Sequence, residues 1–242
     1  MPRAVVAFIF VALSLPAAAC ARARHAEPLP YVEVLTGGAT ADAELPLIIA
    51  LHGRGDTAGD FASLFHDFKA RARVAVLRPP HVWGSGQAWF LEAYAHAQNR
   101  PRTAAELMAL ADRVVATAEA IAAKHPTRGR PVVMGFSQGG MLAWAVAIAR
   151  PRAISASFPV AGFLFAEILE KARVDAAAIP PIVAFHGDAD PLVPVEEDRR
   201  GVRALEKRGV HADLRIYPGL GHTIAPGLRD DLFEAMSRAL PR

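Results

Sequence analysis

The chain contains a single cysteine, Cys20, so no disulfide can form within it. It has no apolar run long enough to span a bilayer, no tract of low complexity and no internal repeat. Charge of one sign is not gathered anywhere: 27 Lys and Arg are scattered among 24 acids, leaving a formal +3, which argues against a nucleic-acid partner. No spacing of His, Cys and Asp matches a zinc pattern, and the glycine-rich stretch 135–140 lacks the Lys of a phosphate loop. Neither a metal nor a cofactor is therefore expected. What the chain does have is length and apolar content: 242 residues, 52% of them apolar, suffice for one domain of the larger α/β kind.

The first residues stand apart. Arg3, the apolar stretch 4–15 and the small residues 16–21 read as a secretory signal peptide over 1–21, with export to a periplasm or the medium as the expectation. A non-cleaved hydrophobic anchor is the competing reading. Cys20 follows Ala17-Ala18-Ala19, which is similar to a lipoprotein cleavage box except that Ala17 stands where Leu is preferred. Cleavage before Cys20 would leave it open to lipid anchoring; cleavage after Ala21 would remove it. Residues 22–30 are polar and Pro-containing, the composition of a short linker, and 31–242 are assigned to one catalytic domain.

Within that domain apolar strand-like runs alternate with helical periodicity. Strands are expected over 31–35, 46–51, 74–77, 131–134, 153–160, 181–185 and 212–217, and helices from Phe61 to Phe68 and over 103–125, 138–149, 195–208 and 228–240, with an amphipathic stretch at 163–178. Thr103 with Glu106 three residues on has the form of a capping box, and Asp56 with Thr57 is placed to cap the helix that follows. The segment 81–102 has no clear period and reads as a long functional loop. Alternation of this kind predicts a parallel, doubly wound sheet flanked by helices.

The stretch 132–142, VVMGFSQGGML, places an apolar run before G-x-S-x-G and an Ala-rich helical run after it. That context marks a nucleophile elbow, with Ser137 on a sharp turn and its hydroxyl exposed. Serine is a poor nucleophile unaided and needs a general base, held in one tautomer by a third group. Downstream, two acids, Asp188 and Asp190, follow one apolar run, and His222 follows the next, in GLGHT. Ser, acid, His is the order expected behind an elbow, and all three follow strands, where open parallel sheets place ligands. His52 and His186, each before a Gly at a strand end, read as structural. The residues alone leave Asp188 and Asp190 as alternatives.

HGRGDT at 52–57, AWF at 88–90, GFSQGG at 135–140 and HGDADPLVP at 186–194 with GLGHT after it resemble the phospholipase/carboxylesterase family, the acyl-protein thioesterase-like enzymes. The resemblance implies an α/β-hydrolase fold without a cap domain, and a serine hydrolase of carboxylic esters or thioesters. It selects Asp190, directly before Pro-Leu-Val-Pro, as the acid, so that Ser137, His222 and Asp190 are the expected catalytic residues. It also implies an oxyanion hole formed by the backbone N–H groups of Arg54 and Gln138. Arg54 departs from the Leu common at that place, which puts a lipid-like acyl preference in doubt. Trp89 and Phe90 are expected to line the acyl or alcohol pocket, with plain core packing as the rival reading for at least one of them. The other functional readings are an exported feruloyl-esterase or polyhydroxybutyrate-depolymerase-like esterase, and a non-catalytic binding module of the same fold.

Overall fold

In the computed structural model, residues 26–92, 97–172 and 174–241 are described. The signal-peptide reading and Cys20 lie outside them. Seven strands form one sheet in the order β1 (Tyr31–Thr36), β3 (Ala72–Leu77), β2 (Leu45–Leu51), β6 (Thr127–Phe136), β7 (Ala156–Val160), β8 (Val183–Gly187) and β9 (Asp213–Tyr217). β1 pairs antiparallel to β3 at one edge; every other pairing is parallel. LPLIIAL in β2 and ARVAVL in β3 are buried at every position, the mark of strands covered on both faces.

Helices cover those faces. α2 (Arg100–Ala122), α3 (Gln138–Ala149), α4 (Ala166–Lys171) and α5 (Val195–Glu206) contribute to one core, around Leu107, Trp144, Ile168 and Leu205. α1 (Ala58–Ala62) and α6 (Pro226–Ala239) contribute to the other, around Phe61, Phe158 and Leu232. α3 has almost no polar side: Gln138 through Ile148 are all buried, because the helix lies between α2 and the central strands.

Five expectations need correcting. Segment 81–102 is not simply irregular. β4 (His81–Trp83) and β5 (Gly86–Ala88) form a two-stranded hairpin docked on the loop after β2, through Gly55 N–H to the Gln87 carbonyl (2.8 Å) and Gln87 N–H to the Asp56 carbonyl (2.9 Å). Helix α2 begins at Arg100, with Pro101 in its first turn, and not at Thr103. The capping box does not form: Thr103 Oγ1 donates to the Asn99 carbonyl (3.1 Å), while Glu106 meets His81 Nε2 at 3.0 Å and ties the hairpin to the helix. The helix expected at 61–68 starts instead at Ala58, capped by Thr57 Oγ1 accepting from Asp60 N–H (3.1 Å), and tightens into a 3-10 turn over Ser63–Asp67. Finally, the described end of the supposed linker is docked: Leu29 is buried and its N–H donates to Thr117 Oγ1 at 2.7 Å.

Candidate active site

The elbow depends on close backbone approach. A methyl group at Gly135 would lie 2.1 Å from the Gly139 carbonyl oxygen, and one at Gly139 would lie 2.0 Å from that of Leu51, so neither position accepts a side chain without displacing backbone. Ser137 between them sits at φ 56°, ψ −118°, a region an L-residue adopts only under constraint. Its N–H donates to Val160 O (2.9 Å) and its carbonyl accepts from Met141 N–H (3.0 Å), so strand β7 on one side and helix α3 on the other supply that constraint.

The loops after β8 and β9 are braced against each other. Asp188 Oδ1 accepts from Gly219 N–H (2.6 Å), and Ala189 N–H donates to the Leu220 carbonyl (3.1 Å). This brace carries His222 toward Asp190. Oδ2 of Asp190 accepts from His222 Nδ1–H at 2.6 Å, and Nε2 of His222 faces Ser137 Oγ at 2.9 Å. A carboxylate only accepts, so Nδ1 carries the proton and Nε2 is left to accept from the serine hydroxyl. Asp190 Oδ1 is occupied by Leu192 N–H (2.8 Å) and Val193 N–H (2.9 Å), which fixes the carboxylate plane. The ring of Phe136, 4.9 Å from the imidazole centre, backs His222. Of the two acids left open by the residues, the structure brings Asp190 to the imidazole and gives Asp188 the bracing role.

Gln138 opens α3, where a first-turn N–H has no intrahelical acceptor. Its side chain does something the sequence reading missed. Oε1 accepts from Trp89 N–H and Nε2 donates to the Phe90 carbonyl, both at 3.0 Å, clamping the 89–90 backbone beside the elbow. The loop after β2 is pressed against Ser137: a methyl group at Gly53 would stand 3.4 Å from Ser137 Cβ. Next along it, the exposed Arg54 places its guanidinium 4.7 Å from the centre of the Trp83 ring on the hairpin.

Trp89 and Phe90 both have zero solvent exposure, so the expectation that they present a pocket wall to incoming substrate is corrected. The Trp89 indole N–H donates to the His52 carbonyl at 2.8 Å, which draws the ring inward under the loop. An open cleft of ≈ 340 Å³ beside His222 is lined instead by Phe61, Leu64, Phe136 and Ile224, with Asp56 and Asp60 among its polar residues.

Two further histidines are buried near the site. His52 Nδ1–H donates to the Gly53 carbonyl (2.8 Å), and Nε2 has no partner among the described residues. Burial holds His52 below the usual histidine pKa, against smaller opposing effects of the Gly53 carbonyl and Asp56. An unfolded chain therefore binds a proton here that the folded one refuses, and this histidine's contribution to stability falls as pH drops below the unfolded value of about 6.5. The raised pKa of His186 contributes in the opposite sense over the same range, so the His52 effect is read as a difference: between pH 7.5 and 5.5, Tm is expected to shift toward lower values more in the wild type than in His52→Asn. The other is His186. Its Nδ1 meets Asp198 Oδ2 at 3.0 Å, its Nε2 meets the Val193 carbonyl at 2.9 Å, and Asp190 Oδ2 lies 3.5 Å from Nε2. Burial works against the imidazolium, but the hydrogen bond and charge of Asp198, the Val193 carbonyl and the charge of Asp190 outweigh it and raise the pKa. Asp198 was not singled out from the sequence, although the signal was present: it interrupts the apolar stripe of Val195, Val202 and Leu205 on α5.

A mostly parallel sheet with helices on both faces, carrying a serine on a strained strand-to-helix turn, defines an α/β-hydrolase. Within that class the chain belongs to the phospholipase/carboxylesterase family, whose sequence model matches residues 38–234. It is similar to acyl-protein thioesterase 1 of Neurospora crassa, 25% identical over 223 residues, covering 81% of this chain and 87% of that protein. It is likewise similar to a probable inactive carboxylesterase of Oryza sativa subsp. japonica, 26% identical over 190 residues, covering 73% and 78%. Among solved structures, esterase PE8 superposes with a TM-score of 0.73 at 24% identity, covering 88% of this chain and all of that one, and Zea mays acyl-protein thioesterase 2 with 0.65 at 20% identity, covering 87% and 98%. The protein is a carboxylesterase-type hydrolase, acting on ester or thioester bonds.

Proposed function

We propose that the protein hydrolyses esters or thioesters of small, soluble acyl groups through Ser137, His222 and Asp190. Ser137 Oγ attacks the carbonyl carbon and passes its proton to His222 Nε2, while Asp190 holds the imidazole and stabilises its cation. The oxyanion that forms is received by the N–H groups of Gln138 and Arg54. Collapse of the tetrahedral species expels the alcohol or thiol, which takes the proton from Nε2, and water then releases the acid by the reverse sequence. The observation that carries this reading is the continuous contact from Ser137 Oγ through the imidazole to the Asp190 carboxylate, at 2.9 and 2.6 Å.

The substrate reading draws support from the cleft, which is open and of modest size at ≈ 340 Å³. Short acyl chains fit such a site better than chains that require enclosure. Rates on nitrophenyl acetate, butyrate and palmitate test it: kcat/KM is expected to be highest on acetate or butyrate, and a palmitate optimum overturns the assignment. Because one relative is described as inactive, the same assays also decide against a silent binding module. Turnover together with covalent capture of Ser137 by a fluorophosphonate probe is the expected result. We propose in addition that the protein acts outside the cytosol, the reading drawn from its first 21 residues. N-terminal sequencing of protein recovered from the periplasm or medium is expected to begin at Cys20 or Arg22, and an intact leader on that protein contradicts cleavage.

A further inference from the structure

Behind Asp190 lies a second acid–imidazole pair that the hydrolytic sequence does not use. His186 sits at the end of β8 with zero exposure, and Asp198, likewise fully buried, reaches it from α5. Both ring nitrogens of His186 face acceptors, Asp198 Oδ2 and the Val193 carbonyl, and a ring with two acceptors is satisfied only when both nitrogens carry hydrogen. The ring also lies between two carboxylates, with Asp198 at 3.0 Å and Asp190 at 3.5 Å. Burial raises the Asp198 pKa, while the hydrogen bond and charge of His186 oppose that shift; with Asp190 adding a second carboxylate beside the ring, the ion pair is the form in which the buried charges compensate each other. Asp198 Oδ1 and the indole nitrogen of Trp144 on α3 are both buried without a hydrogen-bond partner among the described residues. The groups acting on His186 are Asp198, Asp190 and the Val193 carbonyl, and His222 stands on the far side of Asp190.

We propose that His186, held as an imidazolium by Asp198, is a positioning residue that shares Asp190 with His222 and thereby sets the pH at which the esterase switches on. The inference rests on the catalytic roles proposed above for Ser137, His222 and Asp190. Its physical content is a competition for one carboxylate oxygen. Asp190 Oδ2 accepts from His222 and also feels the His186 charge, so part of its negative potential is spent on His186 and less remains to stabilise protonated His222. Removing the His186 charge therefore returns that potential to the Asp190–His222 pair, and the pH profile of a variant reads the change. Val193, whose N–H holds Asp190 Oδ1 and whose carbonyl holds His186, links the two pairs through one residue.

The test uses pH profiles of kcat/KM on nitrophenyl butyrate for the wild type, Asp198→Asn and His186→Gln. Both variants remove the buried cation, and the glutamine keeps a donor where Nε2 stood. In both, the acid limb is expected to move to higher pH by about one unit, equivalent to a tenfold loss of kcat/KM on that limb. A residue that merely packs would lower the plateau and leave the limb in place, and that result in folded variants overturns the proposal. Should either variant fail to fold, nitrogen NMR of histidine-labelled wild type decides the matter directly. Two protonated ring nitrogens on His186 at pH 8 support the inference; one unprotonated nitrogen there overturns it. This measurement is independent of turnover, so loss of the Ser137 assignment, seen as persistent labelling in a Ser137→Ala variant, is distinguishable from loss of the His186 assignment.

Discussion

Ser137→Ala is expected to lower kcat by a factor on the order of 10⁶ and to abolish covalent capture by a fluorophosphonate probe. The size follows from the role proposed for the hydroxyl: without Oγ no acyl-enzyme would form, and only the proposed oxyanion donors and substrate binding would remain to assist direct attack by water. The variant is also a clean one. Alanine keeps the Cβ that the strained φ of 56° already accommodates, and the backbone bonds from Ser137 to Val160 and Met141 do not involve the hydroxyl. Folding should therefore be unaffected, which a melting scan beside the assay checks. A labelled band of wild-type intensity in this variant would place the nucleophile elsewhere.

The second large effect concerns the acid. Asp190→Asn is expected to reduce kcat by about 10⁴-fold, because an amide nitrogen facing Nδ1 turns the imidazole into the tautomer that cannot accept the serine proton. Asp188→Asn is the matched comparison. Its carboxylate lies on the same loop and accepts from Gly219 N–H, so its loss should loosen the brace between the two loops and cost far less in kcat. Equal losses in the two variants would mean that loop bracing, and not the orientation of His222, is what Asp190 contributes.

The pair of variants also marks where reading along the chain stops being sufficient. The elbow was legible because its requirements are local: two glycines, a preceding apolar strand and a following helix lie within a dozen residues, and each leaves its mark in composition. The parallel sheet was legible for a similar reason, since strands covered on both faces must be apolar throughout, as β2 and β3 are. The hairpin β4–β5 was not. Its short strands are held by Gly55, Asp56 and Gln87 backbone groups far apart in sequence, and Gly86 fits only because a methyl there would stand 2.2 Å from the Gly55 carbonyl oxygen. The start of α2 was misplaced because Glu106, which looks like a cap, is claimed by His81 from that same hairpin. The family resemblance implies a pocket role for Trp89 and Phe90 with core packing as the rival, and Gln138 and the His52 carbonyl, which no local pattern reveals, pull the segment into the core.

Local pattern thus established the strand-and-helix alternation, the turn that bears Ser137 and the candidates around it, since each follows from neighbours within a few residues. Which acid meets His222, and that a buried His186–Asp198 pair stands behind that acid, depended on the crossing of two loops and a helix. Hydrogen bonds and charge act over a few ångströms of space, and residues 137, 190, 198 and 222 come within that range only after the sheet has assembled.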